Sequence, residues 1–328
     1  MKAAWFEEFG GAEQVMQVGE QPKPLAEPGQ VLVKLAASGV NPSDVKKRAG
    51  ASPNLLDEGL VISHSDGAGI IESVGSGVSN DRLGERVWVY QAQYGRRLGT
   101  AAEYVAVASN RAVMLPKNTD FSIGACLGIP VMTAHRCVHA DGDVSGQTIL
   151  VTGGAGRVGY YAIQWAIMAG AEVIATASNA IDQATCLALG AKAVVNHRED
   201  DWGKQVLIAS QGKKVDRVID VEFGANLPQI LQCIATSGVI ATYSSTQVKQ
   251  PSLPFLEMMF MDLTLRMILV YAMPESAKVQ AIEAITEALQ AGKLQHRIAH
   301  KVTLDQIAKG HKLVEQGGFG GCVIVSTE

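Results

Sequence analysis

The apolar run Thr148-Ile149-Leu150-Val151 leads into Gly154-Ala155-Gly156-Arg157-Val158-Gly159, and that turn leads into the helix-like stretch Tyr160-Tyr161-Ala162-Ile163-Gln164-Trp165-Ala166. No other feature of the chain constrains its fold as tightly. A strand, a glycine turn and a helix in this order make a βα unit that takes a dinucleotide, whereas the same glycines on a surface turn would carry no such meaning. The first glycine is expected to make the tight turn. The second lets the backbone approach a pyrophosphate, and the third lets the helix pack on the strand. The pyrophosphate would sit at the helix N-terminus, where free N–H groups and the helix dipole favour an anion.

The rest of the chain supplies the setting for that unit. Short runs such as Val31–Leu35, Ile70–Val74, Arg86–Tyr90 and Ala102–Ala106 are separated by Glu27-Pro28-Gly29, Gly75-Ser76-Gly77 and Leu83-Gly84, which suggests a barrel-like β domain over the first ~115 residues. Residues 120–140 look helical. Strands at 148–151, 173–176, 193–195, 215–221 and 238–243 then alternate with helices at 157–169, 180–189, 201–210 and 226–235, as a doubly wound parallel sheet requires. Leu263 to Tyr271 reads as a sixth strand, strongly apolar and at the sheet edge, where it either pairs with a second copy or is covered by the tail. The tail adds a helix at 276–291, a strand at 297–301, a helix at 304–316 and a strand at 322–325, and is expected to return to the N-terminal domain. The expected class is α/β, with residues 1–118 and 266–328 in a catalytic domain and 119–265 in a nucleotide domain.

Composition removes several functions. With 28 Lys and Arg against 32 Asp and Glu, no basic stripe points to nucleic acid or to a membrane surface. No apolar run approaches the ~18 residues of a membrane span, and the N-terminus lacks the pattern of a signal peptide. The five cysteines, 126, 137, 186, 233 and 322, are scattered without a CxxC pair, which argues against a disulfide framework or a zinc lobe and for a reduced, cytoplasmic protein.

The end of the second strand bears on the choice of cofactor. An NAD-preferring unit places an acidic residue there for the ribose 2′-hydroxyl. Here the chain reads Ala175-Thr176-Ala177-Ser178-Asn179-Ala180, and no carboxylate comes before Asp182. The pattern favours NADP. Ser178 and Asn179 offer hydrogen bonds to a 2′-phosphate, but neither Lys nor Arg occurs between Arg157 and Lys192; His197 and Arg198, after the third strand, can reach the adenosine phosphate or be ordinary surface residues. Arg157 can face either the phosphates or solvent.

Taken with Gly39-Val40-Asn41-Pro42-Ser43-Asp44, Ser65-Asp66-Gly67-Ala68-Gly69-Ile70-Ile71-Glu72-Ser73-Val74-Gly75, Gly99-Thr100-Ala101-Ala102-Glu103-Tyr104-Val105, Asn196-His197-Arg198-Glu199 and Gly238-Val239-Ile240, the chain resembles the zinc-free quinone oxidoreductase branch, typified by zeta-crystallin, of the medium-chain dehydrogenase/reductase superfamily. The likeness implies a GroES-like β-barrel catalytic domain, a Rossmann domain and an active-site cleft between them. It also implies NADPH-dependent reduction of a quinone or similarly activated enone, often by a homodimer. By this resemblance Asn41 lies near the nicotinamide and substrate, and Thr133 lies on a cofactor-lining helix. Gly154 through Gly159, with Ala155, Gly156, Arg157 and Val158, form the pyrophosphate loop. Ser178 and His197 surround the adenosine phosphate. Asn226, Tyr243, Ser244, Ser245 and Thr246, with Ile268, Leu269 and Val270, line the nucleotide.

Two departures bear on mechanism. Zinc-dependent members carry a cysteine near the position of Asn41 and a Gly-His-Glu triplet where this chain has His64-Ser65-Asp66. Three protein ligands for a catalytic zinc are therefore missing from the matching places, and no metal is expected. Relatives also often carry tyrosines five and eleven residues after the asparagine, where Lys46 and Ser52 stand here. The first of these donates a proton in related enoyl-thioester reductases, so its loss argues against that activity and leaves no evident general acid. Lys46 can contact the cofactor phosphate or an anionic group, or lie solvated beside Lys47 and Arg48. A quinone, whose oxyanion is protonated by solvent, suits such a chain best. The alternatives are a reductase for a specific α,β-unsaturated carbonyl and a non-catalytic NADPH-binding sensor or structural protein.

Overall fold

A computed structural model describes residues 1–327. The chain forms two compact units, one of residues 1–129 with 282–327 and one of residues 130–281.

In the first unit the pivot is the strand Gln30–Val40, whose inward residues Val31, Val33 and Leu35 are buried while Lys34 is exposed. Its length lets it serve several neighbours. Residues 30–34 pair antiparallel with Tyr104–Ala108, residues 37–40 pair with Cys322–Ser326, and Asp66–Val74 runs along most of the strand. Arg86–Val89 and Ala112–Met114 extend the sheet on one side, and Ile298–Thr303 on the other. A separate sheet joins Gln17–Glu20, Lys2–Phe6 and Val61–Ile62. Register shifts in Gln30–Val40, after Leu32 and after Leu35, bend the strand as bulges do. Val31, Val33, Ile71, Val87, Val105 and Val107 fill the core, and the C-terminal tail is part of this unit through Cys322–Ser326.

In the second unit six parallel strands lie in the order Ala193–Val195, Glu172–Thr176, Thr148–Val151, Val215–Asp220, Ile234–Thr242, Thr264–Met267. Counted along this unit the order is 3-2-1-4-5-6, the doubly wound Rossmann arrangement. Thr148–Val151 is buried at every position, as expected of a strand covered on both faces. The strand order reverses between Thr148–Val151 and Val215–Asp220, and the carboxyl ends of strands at such a switch point form a ligand crevice.

Local chemistry moves several element ends from those read in the sequence. The stretch 120–140 is not one helix. Phe121–Gly124, a π-turn at Leu127–Val131 and Met132–His139 follow one another, because Pro130 has no N–H to continue a ladder. Phe121 packs with Ala37, Ala125, Cys126 and Ile324, so residues 119–129 belong with the first unit. The sixth strand is shorter than 263–271 and ends at Met267, and with its continuation it belongs to the second unit. Phe255–Phe260, for which no element is expected from the sequence, is a short helix. No helix among the described residues is long and apolar enough to cross a membrane, and all five cysteines are buried thiols.

Candidate active site and cofactor site

The glycine turn is a main-chain construction. Gly153 adopts φ +60°, so the left-handed residue lies one position before the first fingerprint glycine. A glycine tolerates that conformation at no steric cost. The Gly153 N–H donates to Thr176 Oγ1 at 3.0 Å and the Gly154 N–H to the Thr176 carbonyl at 2.9 Å, pinning the turn to the neighbouring strand. A methyl at Gly154 would come within 3.0 Å of Ala175, Cys186 and Ile163, and one at Gly159 would overlap the Gly153 carbonyl. Both glycines are therefore demanded by packing. A methyl at Gly156 would meet only the Gly153 carbonyl, at 3.0 Å. Helix Arg157–Met168 starts from Gly156 with no side-chain cap, and the first N–H groups of a helix have no intrahelical acceptor. Bare N–H groups, a positive helix end and glycines where side chains would intrude fit the pyrophosphate of a dinucleotide.

Asp220 organises the carboxyl edge of this sheet. It closes the strand Val215–Asp220 and is fully buried. Its Oδ1 accepts from Thr152 Oγ1 and Asn226 Nδ2, each at 2.8 Å, and its Oδ2 accepts from the Glu222 N–H at 3.1 Å. Burial pushes its pKa up. Asp220 thus ties together Thr152, which precedes the glycine turn, and Asn226. It is absent from the sequence expectations, and an aspartate ending an apolar strand is the only signal it leaves there.

The other expected cofactor residues fall into groups. Tyr243, Ser244, Ser245, Ile268 and Leu269 line one cleft of about 430 Å³, with Phe223 and Thr242 at its wall. Val270 is buried, as is Thr133 in Met132–His139. Ser178 is half-buried past the second strand. Asn179 is engaged locally: its Oδ1 accepts from the Asp182 N–H at 2.9 Å, and its Nδ2 donates to the Asp182 carboxylate at 2.8 Å, capping Ala180–Ala188. His197 is half-buried, its Nδ1 is enclosed without a hydrogen-bond partner, and burial holds its pKa low.

Asn41 lies in the first unit, within a cluster of buried polar groups. It is 3% exposed and sits between Gln30–Val40 and the short helix Pro42–Lys46. Its backbone N–H donates to Asp44 Oδ2 and its Nδ2 to Asp66 Oδ2, each at 2.8 Å. Asp66 Oδ2 also accepts from the Ile129 N–H at 2.8 Å. Burial pushes the Asp66 carboxyl up to about 8 and that of Asp44 up to about 6. Of the two lysines, Lys46 is exposed, while Lys47 turns inward and donates to Gln93 Oε1 at 3.0 Å. Burial lowers the Lys47 pKa against the opposing pull of Asp44 and Asp66.

His64 lies beside this cluster in a left-handed conformation, φ +75°. Its Nδ1 pairs with Ser38 Oγ at 2.8 Å and its Nε2 with His311 Nε2 at 2.9 Å. Burial and, secondarily, Lys47 bring its pKa down to about 3. Zinc would need three protein ligands here. Both His64 nitrogens are bonded, the Asn41 amide is held by Asp66, and Ser65 stands in the ligand position. These residues do not fit a zinc ion.

A 3-2-1-4-5-6 parallel sheet with an uncapped glycine-turn helix, joined in one chain to an antiparallel unit with a buried asparagine cluster, defines a two-unit dehydrogenase. Residues 27–117 match the family model of an alcohol dehydrogenase GroES-like domain, and residues 158–287 that of a zinc-binding dehydrogenase. The quinone oxidoreductase of Lama guanicoe is 31% identical over 333 residues, covering 99% of this chain and 97% of that protein. A solved NAD-dependent alcohol dehydrogenase superposes with a TM-score of 0.90 at 28% identity, over 100% of both chains. The Escherichia coli quinone oxidoreductase solved with NADPH superposes at 0.88 with 23% identity, over 99% of this chain and 100% of that one, a likeness of fold. The chain belongs to the medium-chain dehydrogenase/reductase superfamily, in its quinone oxidoreductase branch. That is a family of oxidoreductases that use nicotinamide dinucleotides, with a GroES-like domain and a Rossmann domain.

Proposed function

We propose that this chain reduces a quinone, or a similarly activated enone, with hydride from NADPH and without zinc. The observation that carries the reading is the uncapped helix end at Gly156 combined with the absence of any carboxylate between Thr176 and Asp182. The first provides for a pyrophosphate. The second leaves out the charge that would repel a 2′-phosphate.

When bound, NADPH supplies the hydride; the protein binds, orients and excludes water. The turn from Gly154 to Gly159 leaves room for the pyrophosphate, which the first main-chain N–H groups of the helix Arg157–Met168 would hold. Ser178 and His197 hold the 2′-phosphate, and the cleft of Tyr243, Ser244 and Leu269 takes another part of the nucleotide. Asn41 holds the acceptor. No general acid stands in the place of the tyrosine that Lys46 replaces, so solvent protonates the reduced acceptor. A quinone tolerates this, because its reduced oxyanion is stable enough to await a proton.

The decisive assay is steady-state NADPH oxidation, comparing kcat/KM for para-benzoquinone and phenanthrenequinone with a panel of enones and enoyl thioesters. Preference for quinones supports the reading. Preference for one enone would replace it, and NADPH binding without turnover of any acceptor would remove enzymatic activity altogether.

The protein is further read as a cytoplasmic homodimer. Thr264–Met267 is an edge strand, and Met267 and Leu269 are 73% and 58% exposed. An unpaired apolar edge invites a second copy. Sedimentation at micromolar concentration should give twice the chain mass, and a monomer would overturn this part.

A further inference from the structure

We propose that Asp66 is a positioning residue of the Asn41 amide: it holds the nitrogen end and so fixes how the amide is turned toward a ligand. The role rests on Asn41 being the residue that holds the acceptor. An asparagine amide turns about a broad, nearly two-fold torsion, and its two ends differ in what they offer: the nitrogen donates and the oxygen accepts. Asp66 removes the ambiguity. The backbone N–H of Ile129 and Asn41 Nδ2 both donate to Asp66 Oδ2, at 2.8 Å each. An oxygen already receiving a main-chain N–H is an acceptor, so the nitrogen end of Asn41 must face it.

The carboxyl cannot swing away. Asp66 is 0% exposed, and a methyl at Gly128 would overlap its Oδ1, so only glycine leaves room for it there. Oδ1 itself is buried without a hydrogen-bond partner. Asp44 does a different job. It is three residues from Asn41; its carboxylate holds the Asn41 backbone N–H and its own backbone N–H meets the Asn41 side chain, which caps the helix and leaves the nitrogen end of the amide to Asp66. Asp66 reaches Asn41 across 25 residues of sequence.

Asp66 keeps its acceptor in either protonation state. A proton on Oδ1 leaves Oδ2 a carbonyl, and its loss leaves a carboxylate. The amide is therefore held through the pH range, but the charge beside it changes. Around Asp66 stand Asp44 and Lys47, the donors Asn41 and Ile129, and beyond Lys47 the paired His64 and His311. With its carboxyl raised to about 8, Asp66 is mostly uncharged at neutral pH. Ionisation above that places a negative charge near the oxyanion that develops on the acceptor, so kcat should fall on the alkaline side.

The test uses the full chain with asparagine-selective nitrogen labelling and follows the two Asn41 Nδ2 proton signals. In the wild type they should be well separated, slow to exchange, and shifted as Asp66 titrates. Asp66→Asn should keep them separated but abolish the shift. Asp66→Ala should merge them toward a free amide, with exchange faster by about tenfold or more. With para-benzoquinone, Asp66→Ala should lower kcat about tenfold or more while NADPH affinity stays within about twofold. Asp66→Asn should restore most of kcat near neutrality and flatten the alkaline decline. Asn41 signals unchanged by Asp66→Ala, or an alkaline decline surviving in Asp66→Asn, would overturn the role. A wild type that binds NADPH but reduces no acceptor counts against the proposed function, and the amide signals then decide the Asp66 role alone.

Discussion

The glycine turn and the Asn41 cluster are opposite ways to build a site. The turn is made of backbone. Its shape is pinned by the Gly153 and Gly154 N–H groups, both donated to Thr176, and residues 153–159 contain a single ionisable side chain, Arg157. The Asn41 cluster is made of side chains. Asp44, Lys47, Asp66, His64 and His311 are buried or partly buried and every one has a displaced pKa. A backbone site is exact in shape and indifferent to pH. A buried side-chain site is tuned by charge and inherits the pH dependence of every member. The comparison implies that damage to the turn is steric, and that damage to the cluster is electrostatic.

The largest effect should come from Gly159→Ala, because the added methyl overlaps the Gly153 carbonyl oxygen, which already accepts the Gly156 N–H. It should cost about 3 kcal/mol of stability and about a hundredfold in NADPH affinity, read by thermal melting and fluorescence titration. Wild-type affinity in this variant would show that the turn relaxes and break the steric half of the comparison.

Acid should act on the other site. The folded pKa of His64 is about 3, and that of His311 is also well below the ordinary 6.5. Both groups stay neutral in the folded chain, while the unfolded chain protonates them below 6.5. Their contribution is therefore complete above 6.5 and is lost as pH falls from there toward 3. The slope approaches about 1.4 kcal/mol per histidine per pH unit. Urea unfolding of the first unit at a series of pH values measures it, and a stability constant between 6.5 and 4 would contradict the account of the pair.

Two smaller effects sharpen the cofactor edge. His197→Ala should weaken NADPH by about tenfold and NADH hardly at all, as loss of one hydrogen bond to a charged phosphate implies. Equal loss for both cofactors would move His197 away from the 2′-phosphate. Asn179→Ala should cost about 1 kcal/mol of stability through its lost helix cap and leave the NADPH-to-NADH ratio unchanged. A changed ratio would return Asn179 to the phosphate site.

What could be read in the sequence follows the same division. The turn is local: strand, glycines and helix are consecutive, and steric demands alone restrict residues 154 and 159, so the pattern is visible in a single stretch. The alternation that makes the parallel sheet is visible for the same reason. The left-handed residue at Gly153 is harder to see, because Gly153 and Gly154 are adjacent and only packing against Ala175 and Cys186 distinguishes them. The Asn41 cluster unites residues from 38 to 311, and nothing in their spacing announces it. Lys46 and Lys47 are indistinguishable as letters, yet only Lys47 turns inward. Asn179 reads in the sequence as a hydrogen-bond partner for a 2′-phosphate, and its bonds to Asp182 engage the side chain at the start of Ala180–Ala188, a contact that the letters do not announce.

The most direct measurement is a single turnover by chelator-treated protein loaded with NADPH and mixed with para-benzoquinone, followed by the near-ultraviolet absorbance of the reduced nicotinamide. The expected result is a rapid loss of that absorbance, the same with or without added zinc. Absorbance that persists although NADPH is bound, or that decays only once zinc is restored, would contradict a zinc-free quinone reductase.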